Sequence, residues 1–303
     1  MTATAVTVRV PAKVNVQLAV GGRRPDGFHD LANVFLAVGL YDHVTASPAP
    51  DLRITGEGRD IASVPLDASN LAVRAAVALA ARHGIEPRVH LHIRKDIPVA
   101  GGMAGGSADA AGALVACDAL WGLGTPREEL LAICAELGSD VPFSLAGGAA
   151  LGEGRGEILT PLEVGGTFSW VFAAADGGLS TPAVYRECDR LRREQGGGDG
   201  IGDVPVPQAD PRLLEALRAG DVHGLAAALA NDLQAAALSL RPDLARTLRA
   251  GADAGALAAL VSGSGPTCAF LVSDGETAAK VAHTLGPAAR PALSPAPGAT
   301  LLS

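Results

Sequence analysis

The stretch PVAGGMAGGSADAA, from Pro98 to Ala111, decides how this sequence is interpreted. Its glycines stand at positions 101, 102, 105 and 106, and an alanine-rich helical pattern follows them. Glycine lets backbone N–H groups approach a ligand closely, and the start of a helix adds unpaired donors and a positive dipole end. The stretch therefore predicts a phosphate-binding loop whose helix begins near Ser107. The competing interpretation is a plain connection between a strand and a helix.

Strand and helix patterns alternate on both sides of this loop. Val89, Leu91 and Ile93 alternate with polar residues, as in a half-buried strand, and a hairpin is expected at 149–162. A new strand pattern begins at Phe168. We therefore expect a mixed α+β protein of two domains, residues 1–165 and 166–303. Its last stretch, PAARPALSPAPGATLLS at 287–303, is expected to form a loosely ordered tail.

Composition excludes several classes of function. The 303 residues include 24 basic and 32 acidic side chains, a net charge of −8 that argues against nucleic acid or an anionic membrane as partner. The four cysteines form no CxxC pair, and there is neither a basic leader nor a run of 18 apolar residues, so we expect a cytoplasmic protein. The GxxxxGK[ST], HExxH, GxSxG and GxGxxG patterns are absent from the sequence. If the protein binds phosphate, it therefore uses a motif other than these.

Two charged residues stand out near apolar sequence. Lys13, within PAKVN at 11–15, is one of three lysines in a chain with 21 arginines, which suggests a need for a compact ammonium. The alternative is a lysine that extends from a strand end into solvent. Asp140 follows Gly138-Ser139 and precedes an apolar turn. Its carboxylate is either a cap for that turn, which the residues alone favour, or a base whose pKa is raised by desolvation.

Taken together and in order, three segments resemble the GHMP small-molecule kinases. PAKVN is similar to the first family motif, the glycine-rich stretch to the ATP loop, and VSGSGPTC at 261–268 to the third motif. Three further stretches are similar to the members that act on a cytidine diphosphate derivative of methylerythritol: PAKVNVQLAVGGRRPDGFHDLANVF at 11–35, LGSDVPFSLAGGAALGEGRGEILTPL at 137–162 and STPAVY at 180–185. The resemblance covers most of the chain.

This resemblance implies a two-domain GHMP kinase fold with the active site in the cleft between the domains. It also implies transfer of the ATP γ-phosphate to the 2-hydroxyl of that substrate, with Mg²⁺, in the non-mevalonate pathway to isoprenoid precursors. The sequence assigns no Mg²⁺ ligand, and it is compatible with a monomer or a homodimer. By resemblance, Lys13 and Asp140 are catalytic. The expected ATP-binding residues are Asn70, Lys95, Pro98, Gly101, Gly102, Gly105, Gly106 and Ser107, and the expected substrate-binding residues are Asn15, Phe28, His29, Thr181 and Tyr185.

Two departures and two alternatives accompany this interpretation. The loop has Ala100 and Met103-Ala104 where a glycine-leucine-glycine pattern is usual, and Phe28 replaces a frequent tyrosine. Phe28 and Tyr185 are predicted to sandwich the cytosine while His29 binds its edge, although Tyr185 also fits a core position. The alternative functions are another GHMP kinase, acting on homoserine or a mevalonate derivative, and a nucleotide-binding sensor without catalysis.

Overall fold

The computed structural model describes residues 5–99, 101–196 and 204–302. The strands in these ranges are β1 Val6–Arg23, β2 His29–Pro48, β3 Arg53–Gly58, β4 Val89–Lys95, β5 Ala149–Glu153, β6 Ile158–Pro161, β7 Phe168–Ala173, β8 Ala230–Asn231, β9 Ala258–Val261, β10 Cys268–Val272, β11 Arg290–Ser294 and β12 Thr300–Leu302. The helices are α1 Leu71–Arg82, α2 Gly105–Trp121, α3 Arg127–Leu137, α4 Val141–Ala146, α5 Thr181–Glu194, α6 Pro211–Ala219, α7 Val222–Ala228, α8 Gln234–Leu240, α9 Leu244–Asp253 and α10 Gly275–Leu285. A 3₁₀ turn covers Ile61–Ser63.

The first sheet is built on two long strands, β1 and β2. They pair antiparallel, with register shifts after Pro11, Asn15 and Val20 of β1. Strand β2 is long enough to pair with β5 near its start and with β4 near its end. Strand β3 lies parallel to β4, β6 completes the hairpin with β5, and β8 and β12 join β1. The expected hairpin at 149–162 is thereby confirmed.

Helix α2 lies tightly against the first sheet because it is apolar on nearly every side. Ten of its seventeen residues are buried, as expected for a helix without a polar face. At Gly112 a Cβ atom would lie 2.7 Å from Val10 and 2.8 Å from Val44, so the helix can approach β1 and β2 this closely only with glycine there. This close packing fixes the N-terminal end of α2, which follows the glycine loop.

The second sheet has the antiparallel order β11-β7-β10-β9. One face packs with buried side chains of α5, α8, α9 and α10. The other face contributes Phe168, Trp170 and Phe172 to the core beneath the first sheet. The two sheets therefore share a core, and the mixed α+β class is confirmed. The division at residue 165 stays a prediction, because β8 and β12 come from the C-terminal part but belong to the first sheet.

The prediction of a loosely ordered C-terminal tail is wrong. Strand β11 pairs with β7 from Arg290 to Ser294, and β12 pairs with β1. The Ser294 side chain is buried and accepts a hydrogen bond of 2.9 Å from the Trp170 indole. The sequence did not predict these strands because they are short, lie in a proline- and alanine-rich stretch and pair with distant parts of the chain. No α-helix in the described ranges combines the length and apolar character needed to cross a membrane.

Candidate active site

A cavity of about 670 Å³ lies where the glycine loop meets β1, the start of β2 and the start of α5. Most of the residues predicted from the sequence line it: Lys13, Asn15, Phe28, His29, Gly101, Gly102, Gly105, Gly106, Ser107, Asp140, Thr181 and Tyr185. Three do not, namely Asn70, Lys95 and Pro98. The cavity thus brings together the groups expected to bind phosphate, the expected base and the expected aromatic residues.

The glycine loop ends in a helix N-terminus that faces this cavity. Helix α2 begins at Gly105, two residues before the expected Ser107. The first N–H groups of a helix have no partner within it, so they are available to an anion. Ala104, directly before the helix, has the left-handed φ of 60° that favours glycine. The departure noted at Met103-Ala104 therefore retains a glycine-like backbone at Ala104, while Ala100 lies outside the described residues.

The SGSGP turn at 262–266 packs against the glycine loop and lines the cavity beside it. The Ser262 hydroxyl donates a 3.1 Å hydrogen bond to the carbonyl oxygen of Gly102, and the Thr267 N–H donates one of 3.2 Å to that of Gly101. At Gly102, where φ is +75°, a Cβ atom would lie 2.2 Å from the Ser262 carbonyl oxygen. Only glycine fits between these two turns. The Thr181 hydroxyl, 2.9 Å from that of Ser264, links α5 to the same turn.

Lys13 connects the loop with the candidate base. Its ammonium donates hydrogen bonds to Asn15 Oδ1 at 2.6 Å and to the Gly102 carbonyl at 2.9 Å, and it lies 3.7 Å from Asp140 Oδ2. Asn15 in turn donates to Asn33 Oδ1 at 2.7 Å. Burial lowers the pKa of Lys13, and the neighbouring Asp140 carboxylate offsets part of that shift. Lys13 is buried in the site, so it is not a lysine that extends into solvent.

Asp140 has the position of a cap but not the hydrogen bond of one. It directly precedes α4, yet its side chain makes no capping hydrogen bond to that helix. The side chain is one-third exposed, at 33%, on the cavity, and Lys13 is its ion-pair partner. The geometry therefore favours a role for Asp140 as a base in the cavity over a role as a helix cap.

His29 is held in place from two directions. Its Nε2 atom lies 2.9 Å from Asp189 Oδ1, and its ring centroid lies 5.1 Å from that of Tyr185. The imidazole is buried although the sequence places it in a polar turn. Tyr185 both lines the cavity and packs against the core of the second sheet, so its two expected roles are compatible. Burial raises the pKa of the Tyr185 hydroxyl, which stays protonated at neutral pH.

Sequence reasoning missed a group of cationic residues at the cavity. Arg23, Arg155 and Arg186 all line it, and the Arg155 guanidinium lies 5.2 Å from the ring centroid of Phe28, which is 52% exposed. Within the described part of the chain, neither Arg23 nor Arg186 forms a salt bridge. Arginines are numerous in this sequence, so no local signal distinguished these three.

Asp189 was also missed, although a signal for it exists. It lies four residues after Tyr185 on α5, and residues at that spacing share one face of a helix. The face that carries Tyr185 to the cavity therefore carries Asp189 as well. A search for polar partners at this spacing would have found it.

Three predicted nucleotide-binding residues have other roles. The Asn70 side chain accepts from the Ala72 N–H at 2.8 Å and caps α1. Pro98 packs behind Gly101. Lys95 is buried beneath the loop, where its ammonium contacts Asp42 and Asp109. Lys95 is buried and paired with two carboxylates, so the structure does not support direct contact between its side chain and a nucleotide.

Among the residues described, no group of three or more His, Cys, Asp or Glu side chains is arranged to hold a metal ion by itself. A magnesium ion bound with a nucleotide needs few protein ligands, because phosphates and water supply most of its six oxygens. Asp140 and Asp189, the carboxylates that line the cavity, are of the donor type that such an ion prefers. The donor set therefore fits a Mg²⁺ ion that arrives with ATP.

Comparison with known proteins identifies related sequences along the whole chain. The family model described as the GHMP kinases N terminal domain matches residues 70–148, and the model described as GHMP kinases C terminal matches residues 213–289. The chain is 71% identical over 302 residues to a 4-diphosphocytidyl-2-C-methyl-D-erythritol kinase of Streptomyces avermitilis, with 98% of this chain and 99% of the relative covered. A protein of the same name from Thermobifida fusca is 57% identical, with 99% of each chain covered.

Solved structures agree with these sequence relatives. A crystal structure of 4-(cytidine 5'-diphospho)-2C-methyl-D-erythritol kinase matches with a TM-score of 0.78 and 31% identity, covering 95% of this chain and 99% of the other. A homoserine kinase from Cytophaga hutchinsonii matches with a TM-score of 0.72 but only 19% identity, covering 98% and 97%. The second likeness is one of fold alone.

Proposed function

This chain belongs to the GHMP kinase family, and we propose that it transfers the γ-phosphate of ATP to the 2-hydroxyl of 4-diphosphocytidyl-2-C-methyl-D-erythritol. The observation that carries the proposal is the position of Lys13. Its ammonium lies 2.9 Å from the Gly102 carbonyl of the loop and 3.7 Å from Asp140 Oδ2. One side chain therefore links the phosphate-binding loop to the base, and this arrangement can position the groups that phosphoryl transfer to an alcohol uses.

In this proposal Asp140 is the general base. Its carboxylate accepts the proton of the attacking hydroxyl while that oxygen forms a bond to the γ-phosphorus and the bond from phosphorus to the ADP oxygen breaks. Lys13 holds the carboxylate towards the loop and offsets negative charge that develops on the transferred group. Such a base contributes about 10²- to 10⁴-fold to the rate.

The N–H groups at the start of α2 bind phosphate oxygens of ATP, and Ser107 adds a hydroxyl at the same place. A Mg²⁺ ion that arrives with ATP would take most of its oxygens from the phosphates and water, and it would neutralise phosphate charge. Gly106 lies exposed on the cavity, with a Leu71 side-chain atom 3.8 Å from its would-be Cβ, so the backbone here is open to a bound phosphate.

The aromatic and cationic residues of the cavity lining suit the cytidine diphosphate part of the substrate. Phe28 and Tyr185 offer aromatic faces for the cytosine, and His29, whose Nε2 faces Asp189, offers its Nδ1 atom as a hydrogen-bonding group. A diphosphate needs local positive charge in a protein whose net charge is −8. Arg23 and Arg186, without carboxylate partners among the described residues, supply that charge in the cavity lining.

A coupled assay of ADP release tests the proposal. The purified protein, ATP and Mg²⁺ are combined in turn with 4-diphosphocytidyl-2-C-methyl-D-erythritol, homoserine and mevalonate. Turnover that depends on the cytidyl substrate, with a phosphorylated product seen by mass spectrometry, is expected. Preference for homoserine or mevalonate would identify a different GHMP kinase. ATP binding without turnover of any of the three would favour the sensor.

A further inference from the structure

Beneath the glycine loop lies a buried cluster of three charged side chains, here called the loop triad: Asp42, Lys95 and Asp109. All three are at most 2% exposed. The Lys95 ammonium contacts Asp42 Oδ2 and donates to Asp109 Oδ2 at 2.8 Å. The triad joins β2, β4 and α2, and a Cβ atom at Gly105 would lie 3.2 Å from the Lys95 nitrogen. It therefore lies directly behind the first residue of the phosphate-binding helix.

The two carboxylates of the triad differ in their hydrogen bonding. Asp42 Oδ1 accepts from the Asp96 N–H at 2.7 Å and from the Ile97 N–H at 2.9 Å, which fixes the start of the loop. Asp109 Oδ1 is buried and has no hydrogen-bond partner among the residues that the structure describes. A buried carboxylate oxygen without a donor is unfavourable when ionised, so Asp109 is the member of the triad that takes up a proton more readily.

We propose that the loop triad positions the glycine loop and sets the charge behind it, so that protonation of Asp109 strengthens nucleotide binding and its ionisation weakens it. With Asp109 protonated the triad is neutral. With Asp109 ionised it carries one net negative charge behind the backbone groups that bind the phosphates of ATP. This inference rests on the proposed function only in taking the loop as the ATP site.

The surroundings of Asp109 support a change of protonation in the neutral range. Burial and the like charge of Asp42 raise the pKa of Asp109 to about 7, against the opposing effect of Lys95. Burial lowers the pKa of Lys95, but its two carboxylates more than offset this and the net shift is upward, so the ammonium stays charged.

In the described part of the chain, the charged groups that shift the pKa of Asp109 are Lys95 and Asp42; Arg9, His43 and the charged residues of α3 have no resolved effect on it. Helix α4 and strand β12 contain no charged residue. The arginines of α1, Arg74 and Arg82, are exposed. On β1, Lys13 is engaged by Gly102 and Asp140 on the cavity side of the loop. The charge of the triad is thus decided by Asp109 itself.

Isothermal titration of ATP with Mg²⁺ into the folded protein tests the inference from about pH 6 to about pH 8.5. The wild type is compared with Asp109→Asn, which mimics the protonated carboxyl, and with Asp96→Asn as a matched control that removes an exposed carboxylate beside the same loop. Because the titration of ATP itself is common to all variants, the ratio of wild-type to variant Kd isolates the effect of Asp109.

For Asp109→Asn that ratio is expected to be near one at the acidic end and to rise about tenfold at the alkaline end, as one buried charge roughly 10 Å away would produce. For Asp96→Asn the ratio should not change with pH. Parallel Kd profiles for wild type and Asp109→Asn would overturn the inference, because a merely structural triad shifts affinity equally at every pH.

If Asp109→Asn does not fold, the pH dependence of Kd for ATP in Asp42→Asn tests the inference instead. Removing the like charge of Asp42 lowers the proton affinity of Asp109, so the wild-type change in Kd should move to lower pH. An unmoved profile would overturn the inference. A protein that binds ATP in this way but does not phosphorylate the cytidyl substrate would refute the proposed function and leave the inference standing.

Discussion

Replacement of Gly106 by valine is expected to separate the phosphate-binding role of the loop from its structural role. The new Cβ would have Leu71 Cδ1 as its neighbour at 3.8 Å, and Gly106 is exposed on the cavity. The backbone of Gly106 does not have a positive φ, so a side chain is allowed there. Because helices tolerate valine slightly better than glycine, by about 0.3 kcal/mol, the melting temperature should hardly change.

The effect on ATP follows from the donors that valine would cover. A hydrogen bond to a charged group contributes about 1.5 to 3 kcal/mol, so the loss of one bond to a phosphate raises KM for ATP by about 10- to 150-fold. The smaller Gly106→Ala should show a weaker effect in the same direction. KM for the cytidyl substrate should be unchanged, because the residues expected to contact it do not include Gly106.

Two other glycines provide the comparison. In Gly105→Val the new side chain would point into the core, with its Cβ 3.2 Å from Ile97 and from Lys95. This variant should therefore lower the melting temperature and kcat together. Gly275 also lies in the first turn of a helix, α10, with no atom within 4 Å of its would-be Cβ, and it does not line the cavity. Gly275→Val should therefore leave ATP kinetics unchanged.

Steady-state kinetics with each substrate varied in turn, together with thermal unfolding of each variant, make the measurement. A folded Gly106→Val protein with an unchanged KM for ATP would show that the loop is only a connection between β4 and α2. The reasoning would also fail if Gly275→Val weakened ATP binding as strongly as Gly106→Val.

Three further predictions concern the base, the cytosine and the backbone. Asp140→Asn should lower kcat by about 10²- to 10⁴-fold with little change in ATP affinity, and combination with Lys13→Ala should be less than additive; full additivity in the double variant would contradict a shared role. Phe28→Ala and Tyr185→Ala should each raise KM for the cytidyl substrate by about 10- to 100-fold, whereas a Tyr185→Ala protein with only a lower melting temperature would place that ring in the core alone. Ala104→Gly should raise the free energy of unfolding in urea by about 0 to 1 kcal/mol. Glycine relieves the left-handed strain at this residue, and this gain equals or exceeds the cost of the greater entropy of the unfolded chain. A clear loss of stability would refute this.

The phosphate loop and its partners were predictable because their chemistry is local in sequence. Four glycines before an alanine-rich helix indicate a backbone cradle. The pairing of Lys13 with Asp140 came from the family resemblance, since no pattern joins residues so far apart. The same limit explains the C-terminal strands β11 and β12, whose partners lie far away in the chain.

The burial of Lys95 was predictable in part from the alternation of side chains along β4. Residues 89, 91, 93 and 95 lie on one face of β4, because side chains alternate along a strand. Val89, Leu91 and Ile93 are apolar, so the same alternation directs Lys95 inward. A charge on a buried face requires partners, which Asp42 and Asp109 provide, but nothing local in the sequence identifies them.

The contact between Gly102 and Ser262 has a consequence for how such proteins can be recombined. The glycine loop comes from the N-terminal part of the chain, and the turn that supports it comes from the C-terminal part, with one backbone fitted against the other. A chimaera that takes residues 1–165 from this chain and the remainder from a distant relative keeps the glycine loop but not the turn at 262–266 that packs against it. When relatives are recombined, the loop and the SGSGP turn should therefore be exchanged together, although about 160 residues separate them.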